Sequence, residues 1–258
     1  MSRDIPFFET DKLCVGYDGK AVVKDISLSI KKGGILTMIG PNGTGKSTII
    51  KTLTRMIPAV SGSAKMEGED ILSMNMAELS QKLAVVYTVR PGSDMMSCYE
   101  MVSTGRHPYT GFFGSLSGED ESKIRESMEL MGVADLADRP FTNISDGQRQ
   151  RIMLSRAICQ EPGLLVMDEP VSFLDIKHKL EFLSLLDMLR KQRGITVIMS
   201  LHELELAKEI SDKILCIKDG RCDRVGSPEE IFDGEYVAKL FDIDMKDIST
   251  RKILDSVL

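Results

Sequence analysis

Gly40-Pro41-Asn42-Gly43-Thr44-Gly45-Lys46-Ser47-Thr48 fits the pattern G-x-x-x-x-G-K-[ST] without a mismatch. These residue types suit a phosphate chain. Glycines let the backbone turn successive N–H groups onto phosphate oxygens. The start of a following helix adds partial positive charge and unpaired donors. Lys46 supplies a mobile cation for the terminal phosphates, and the Ser47 hydroxyl suits Mg²⁺. A second constellation is Leu164-Leu-Val-Met-Asp168-Glu169-Pro170, an apolar run ending in two carboxylates. Asp168 can hold a cation, and Glu169 can take a proton from an attacking water. A third is Ile144-Ser145-Asp146-Gly147-Gln148-Arg-Gln-Arg151. Its serine and glycine at a helix start serve either as an anion-binding end or as a plain helix cap.

These groups need elements to place them. Gly34 to Ile39 reads as a buried strand before the phosphate loop, and Ser47 to Leu53 as the helix after it. Leu83 to Tyr87, Leu164 to Met167 and Ile195 to Met199 read as further buried strands. Helices follow over Gln148 to Cys159, Asp175 to Arg193 and Glu203 to Glu209. In the longest, Phe182, Leu185, Leu186 and Leu189 share one face. The alternation predicts a parallel sheet, whose strand ends would carry both the loop and the two acids. Before it, Phe7 to Val15, Ala21 to Val23 and Ile26 to Ile30 read as three strands, with a turn at Gly16 to Gly19. Pro58 to Ser63 reads as loop and Ala64 to Asp70 as a short strand and turn. Residues 89–146 show no good strand and read as a helical subdomain inserted into the α/β body, with a helix from Glu121 to Met131 that Gly132 ends. Asp219-Gly220 marks a hairpin, and Ser227-Pro-Glu-Glu230 a capping box.

The chain has 258 residues, 28% charged and 42% hydrophobic, which is an ordinary globular composition. Its net charge of −6 argues against a general nucleic-acid binder. No apolar run reaches membrane-spanning length, and Met1 to Pro6 carry no signal-peptide core. Cys14, Cys98, Cys159, Cys216 and Cys222 show no C-x-x-C spacing and read as reduced. His107, His178 and His202 form no ligand cluster.

Taken together, the motifs resemble those of the ATP-binding subunits of ABC transporters, over essentially the whole chain. Gly40 to Thr48 is similar to the Walker A loop, Leu164 to Glu169 to Walker B, and Ile144 to Gln148 to the signature L-S-G-G-Q. Ser172-Phe-Leu-Asp175 resembles the D-loop, His202 the switch histidine, and Tyr17 the aromatic that stacks on adenine. The resemblance implies an α/β P-loop fold of the ABC type. Its mixed central sheet carries an N-terminal antiparallel β subdomain and the inserted helical one. One domain would span residues 1–258, with 225–258 as a C-terminal helical extension. ATP would be the substrate and Mg²⁺ the cofactor, held by Ser47 and Asp168. Glu169 would polarise water and His202 contact the γ-phosphate. Ser145, Gly147, Gln148 and Asp175 would act from a second copy, in an ATP-sandwich homodimer. The partners implied are integral membrane permease subunits and, indirectly, a substrate-binding protein, at the cytoplasmic face of the membrane.

Two positions depart from the family pattern. Asp146 replaces the first signature glycine and brings a carboxylate toward the γ-phosphate. Thr88 stands where a glutamine usually touches Mg²⁺ and couples to the permease. Its hydroxyl is shorter and offers no amide, which leaves its part as a metal ligand open. Met101 to Gly114 resembles a segment of importers for ferric siderophores, haem and cobalamin, and Arg106 to Phe113 reads as a permease contact. An ABC ATPase for another substrate is the alternative. A soluble ABC ATPase of repair or translation usually adds a coiled coil or a second cassette, and neither is here. A nucleotide-binding regulator without hydrolysis is opposed by Glu169 and His202 and kept open by Thr88.

Overall fold

Ten strands form one sheet in the order β5-β4-β1-β2-β10-β9-β3-β8-β7-β6 in the computed structural model, which describes residues 6–87, 96–111 and 114–244. In chain order they are β1 (Phe8–Tyr17), β2 (Lys20–Ile30), β3 (Ile35–Ile39), β4 (Ala59–Met66), β5 (Glu69–Asp70), β6 (Leu83–Tyr87), β7 (Leu164–Asp168), β8 (Thr196–Ser200), β9 (Lys213–Lys218) and β10 (Arg221–Gly226). The helices are α1 (Lys46–Leu53), α2 (Met76–Lys82), α3 (Cys98–Ser103), α4 (Gly118–Leu130), α5 (Asp146–Cys159), α6 (Ile176–Arg193), α7 (Leu204–Ile210), α8 (Pro228–Ile231) and α9 (Gly234–Leu240). None of them, among the described residues, is long and apolar enough to cross a membrane.

Strands β9, β3, β8, β7 and β6 are parallel neighbours, so their C-terminal ends share one edge. Each is nearly all apolar because both faces are covered. Alternate side chains go to opposite cores. Leu165, Met167, Val197 and Met199 pack with α3 to α6, while Leu36, Met38, Val166 and Ile198 pack with α1, β1 and β2. The antiparallel part, β1, β2, β4 and β5, joins the parallel part where Arg221 of β10 pairs with Lys24 of β2.

Three expectations change in detail. Ala21 to Val23 and Ile26 to Ile30 are one strand, not two. Asp25 sits at φ 58 inside β2 and makes a bulge that the pairing with β1 bridges. The turn before it is tighter than Gly16 to Gly19, because Tyr17 already pairs with Lys20 and only Asp18 and Gly19 bend, at φ 50 and 74. β4 begins at Ala59, so much of the expected loop from Pro58 to Ser63 is strand, paired to β1.

Between β6 and β7 the described residues form helices and turns, with one isolated bridge between Ser97 and Pro140. Capping boxes start these helices: Ser97 with Glu100 before α3, and Ser117 with Asp120 before α4. Here one expectation fails. Arg106 is not a surface contact for a permease: only 4% exposed, it donates to Asp120 at 2.8 Å, to the Cys159 carbonyl at 2.7 Å and to Glu161 at 2.9 Å. It fastens α3 and the turn after it to α4 and α5. Phe112 and Phe113, from the same stretch, lie outside the described residues, as does Thr88. The five cysteines are free thiols, and burial pushes Cys159 up to about 11 and Cys216 up to about 12.

Candidate nucleotide site

The site begins where β3 ends. Its backbone turns at Gly40 with φ 147, so close to β9 that a Cβ would lie 2.2 Å from the Ile217 carbonyl oxygen. Gly45, at φ 103, meets Val23 of β2 in the same way, at 2.4 Å. Two crowded, left-handed positions thus explain two of the three glycines. Lys46 then opens α1. Its ammonium is buried and donates to the Gly40 carbonyl at 2.7 Å and the Pro41 carbonyl at 3.0 Å. Thr44 Oγ1 donates to the same Pro41 carbonyl at 2.9 Å. Burial holds Lys46 below its ordinary value, while the charges of Glu169 and Asp168 pull it back up. Those two carboxylates therefore lie within electrostatic reach of the loop cation. Asn42 and Gly43 are exposed at the loop tip, Ser47 is half-buried, and Thr48 is buried.

β7 delivers the carboxylates and β8 orients them. Ser200, fully buried as the last residue of β8, donates to Asp168 Oδ1 at 2.7 Å and accepts the Glu169 N–H at 2.9 Å. Glu169 sits in the left-handed region, at φ 49. This turns its side chain into reach of Ser172 Oγ, 3.1 Å from Oε2, and His202 Nε2, 2.5 Å from Oε1. The carboxylate is thus gripped on both oxygens. Glu203, next in chain, pairs with Lys179 of α6 at 2.6 Å and anchors the histidine loop. Tyr87, at the end of β6 beside Asp168, bonds Thr54 Oγ1 at 3.0 Å, and burial pushes its phenol up.

Tyr17 ends β1 with its side chain 44% exposed, free to offer a ring face. Ser145, Gly147, Gln148 and Asp175 form a second group. Ser145 caps α5 in a box with Gln148, at 3.3 and 3.0 Å, and Asp175 caps α6 by accepting the His178 N–H at 2.9 Å. Asp146 does not stand as a bare carboxylate. Arg149 Nη1 lies 2.5 Å from it, and the same guanidinium donates to the Ile144 carbonyl at 3.1 Å. Its charge is paired within the turn. Ser172 and Ser200 were not picked out as site residues from sequence. Ser172 opens the D-loop stretch and Ser200 ends β8 two residues before His202, but a serine's type alone does not reveal which carboxylate it will hold.

The donor set at the loop suits a hard cation. It offers a serine hydroxyl and a carboxylate already oriented by Ser200, both oxygen ligands of the kind Mg²⁺ takes alongside substrate phosphates.

Comparison with known proteins agrees with this geometry. The ABC transporter family matches residues 23–172. The iron(3+)-hydroxamate import ATP-binding protein FhuC of Bacillus subtilis (strain 168) is 37% identical over 91% of this chain and 87% of its own. The uncharacterized ABC transporter ATP-binding protein MJ0873 of Methanocaldococcus jannaschii is 40% identical over 91% of this chain and 81% of its own. Among solved structures, the ADP conformation of MJ1267, an ATP-binding cassette of an ABC transporter, superposes with a TM-score of 0.82. It covers 94% of this chain and 100% of its own at 24% identity, a likeness of fold.

Proposed function

The chain belongs to the ABC transporter ATP-binding family and is an ATPase coupled to transport, and on that premise we propose how its residues divide the work and what the work drives. Residues 40–48 cradle the triphosphate, with Lys46 turning from its own loop carbonyls to the phosphate oxygens. Tyr17 stacks on the base. Ser47 and Asp168 hold Mg²⁺, which when bound neutralises phosphate charge. Glu169 orients the attacking water and takes its proton, and His202 contacts the γ-phosphate. Ser145, Gly147, Gln148 and Asp175 complete the site from a second copy facing head to tail. Phosphoryl transfer needs positioning and charge neutralisation more than covalent chemistry, which suits a site split across an interface.

The observation that carries this reading is the grip on Glu169. A base must be aimed, and Ser172 and His202 hold one carboxylate oxygen each. The task driven is import, through membrane permease subunits at the cytoplasmic face and fed by a substrate-binding protein. The relatives' printed roles, in iron(3+)-hydroxamate and other siderophore import, support a ferric siderophore as cargo, with haem or cobalamin in the same class of large chelates. Glu169→Gln tests the core of the proposal. ATP should still bind, turnover should fall by about two to four decades, and an ATP-bound dimer should accumulate on sizing. Near-normal turnover would remove Glu169 from the role of base.

A further inference from the structure

Gly147 lies buried beneath the imidazole of His178, a residue of α6. A Cβ on Gly147 would lie 2.6 Å from His178 Cδ2 and 3.0 Å from its Cγ, closer than real side chains approach. A side chain at Gly147 would therefore have to push this imidazole aside, a constraint set inside one chain and apart from any nucleotide. The same ring reaches the other way. Its Nδ1 is 2.8 Å from Asp175 Oδ1, and that oxygen also accepts the His178 backbone N–H. These bonds hold Asp175 below the ordinary carboxylate range, which keeps it charged as an acceptor. Asp135 and Arg151 line the cleft beside the ring, and Arg151 is paired with Glu181 of α6 at 2.5 Å. One imidazole thus spans two segments far apart in sequence: the turn that opens α5 and the cap that opens α6.

We propose that His178 is a positioning residue that locks the Ser145–Gln148 turn to Asp175, so that both reach the partner's nucleotide as one rigid unit. The proposal rests on the reading that these groups act from the second copy. Phosphate contacts made in the transition state are sensitive to small displacements; about 1 Å of misplacement can cost a hundredfold in rate. His178 touches neither phosphate nor Mg²⁺ in this scheme. It acts through Gly147 and Asp175 alone.

The test compares His178→Ala, Ser145→Ala, Asp175→Ala and the His178→Ala/Asp175→Ala pair in the full chain, by ATPase kinetics and by ATP affinity of the isolated copy. His178→Ala should lower kcat about ten- to hundredfold while leaving that affinity unchanged, since the phosphate loop is untouched. Adding it to Asp175→Ala should cost much less than adding it to the parent, because the lock is already open. Unchanged kcat, a parallel loss of ATP affinity, or simple additivity would each overturn the proposal. Ser145→Ala separates the two levels. If it leaves kcat untouched, the head-to-tail reading itself fails; if it lowers kcat and His178→Ala does not, only the lock fails. Should His178→Ala not fold, His178→Asn is read in the same way, since it keeps a donor for Asp175 but withdraws the ring from Gly147.

Discussion

Ser200 shows how one buried hydroxyl can set two acids. It is a donor to Asp168 and an acceptor for the Glu169 N–H, with no exposure to solvent. Ser200→Ala should leave that N–H without its acceptor and cost about 1–3 kcal/mol of stability. It should also raise the Mg²⁺ concentration needed for half-maximal ATPase rate, because Asp168 loses the bond that orients it. Denaturant unfolding and a Mg²⁺ titration check the two effects; an unchanged Mg²⁺ requirement would confine Ser200 to a structural part. Residues of this kind mark the limit of reading a site from sequence. Lys46, Asp168 and Glu169 announce themselves, because phosphate and water chemistry demand those types at that spacing. Ser200 and His178 do not, because their contacts with Asp168, Glu169 and Gly147 arise only when strands and helices distant in sequence meet, and Ser172 does not, because its bond to Glu169 three residues earlier depends on the left-handed turn at Glu169.

At the scale of elements, the buried Arg106 cluster ties the helical segment together. The hydroxyl and backbone N–H of Ser117, with Arg106 beyond, hold Asp120 at about 2, well below the usual carboxylate range. Its pKa is depressed by folding, so its stabilisation is present above the ordinary carboxylate value and is lost as pH falls toward about 2. Asp120→Asn should therefore cost about 1–3 kcal/mol at pH 7. The gap between variant and parent should close between about pH 4 and pH 2. Unfolding curves across that range give the check; a gap independent of pH would mean the carboxylate charge is not what matters. The sequence suggested surface duty for Arg106, since an arginine among aromatics suits a protein contact. What it could not reveal was the convergence of Asp120, Glu161 and the Cys159 carbonyl on one guanidinium. Helix starts were easier to read, because a capping box such as Ser227 with Glu230 is a local device.

For the whole molecule, the parallel strands were legible as short apolar runs, and the hairpin at Asp219-Gly220 as a dipeptide that tolerates left-handed turns, found at φ 48 and 70. The order of the sheet was not legible. Its placement of β9 and β10 between β3 and β2 depends on long-range pairing that no local pattern encodes. The fusion of two expected strands into β2 was hidden by the bulge at Asp25, which interrupts the alternation without ending the strand. One feature of the site also bears on the endurance of the whole chain. Glu169 holds a left-handed backbone that glycine would adopt freely and that costs other residues about 1–2 kcal/mol. Glu169→Gly and Glu169→Ala both lose the carboxylate, so both should be inactive, but the glycine variant should melt about 2–4 °C higher. Equal melting temperatures would show that the surrounding strands relax the turn for any side chain. A higher melting temperature for the glycine variant would instead make Glu169, in its proposed role as base, a residue that thermal selection alone would discard: heat resistance would be given up at the spot where turnover is gained.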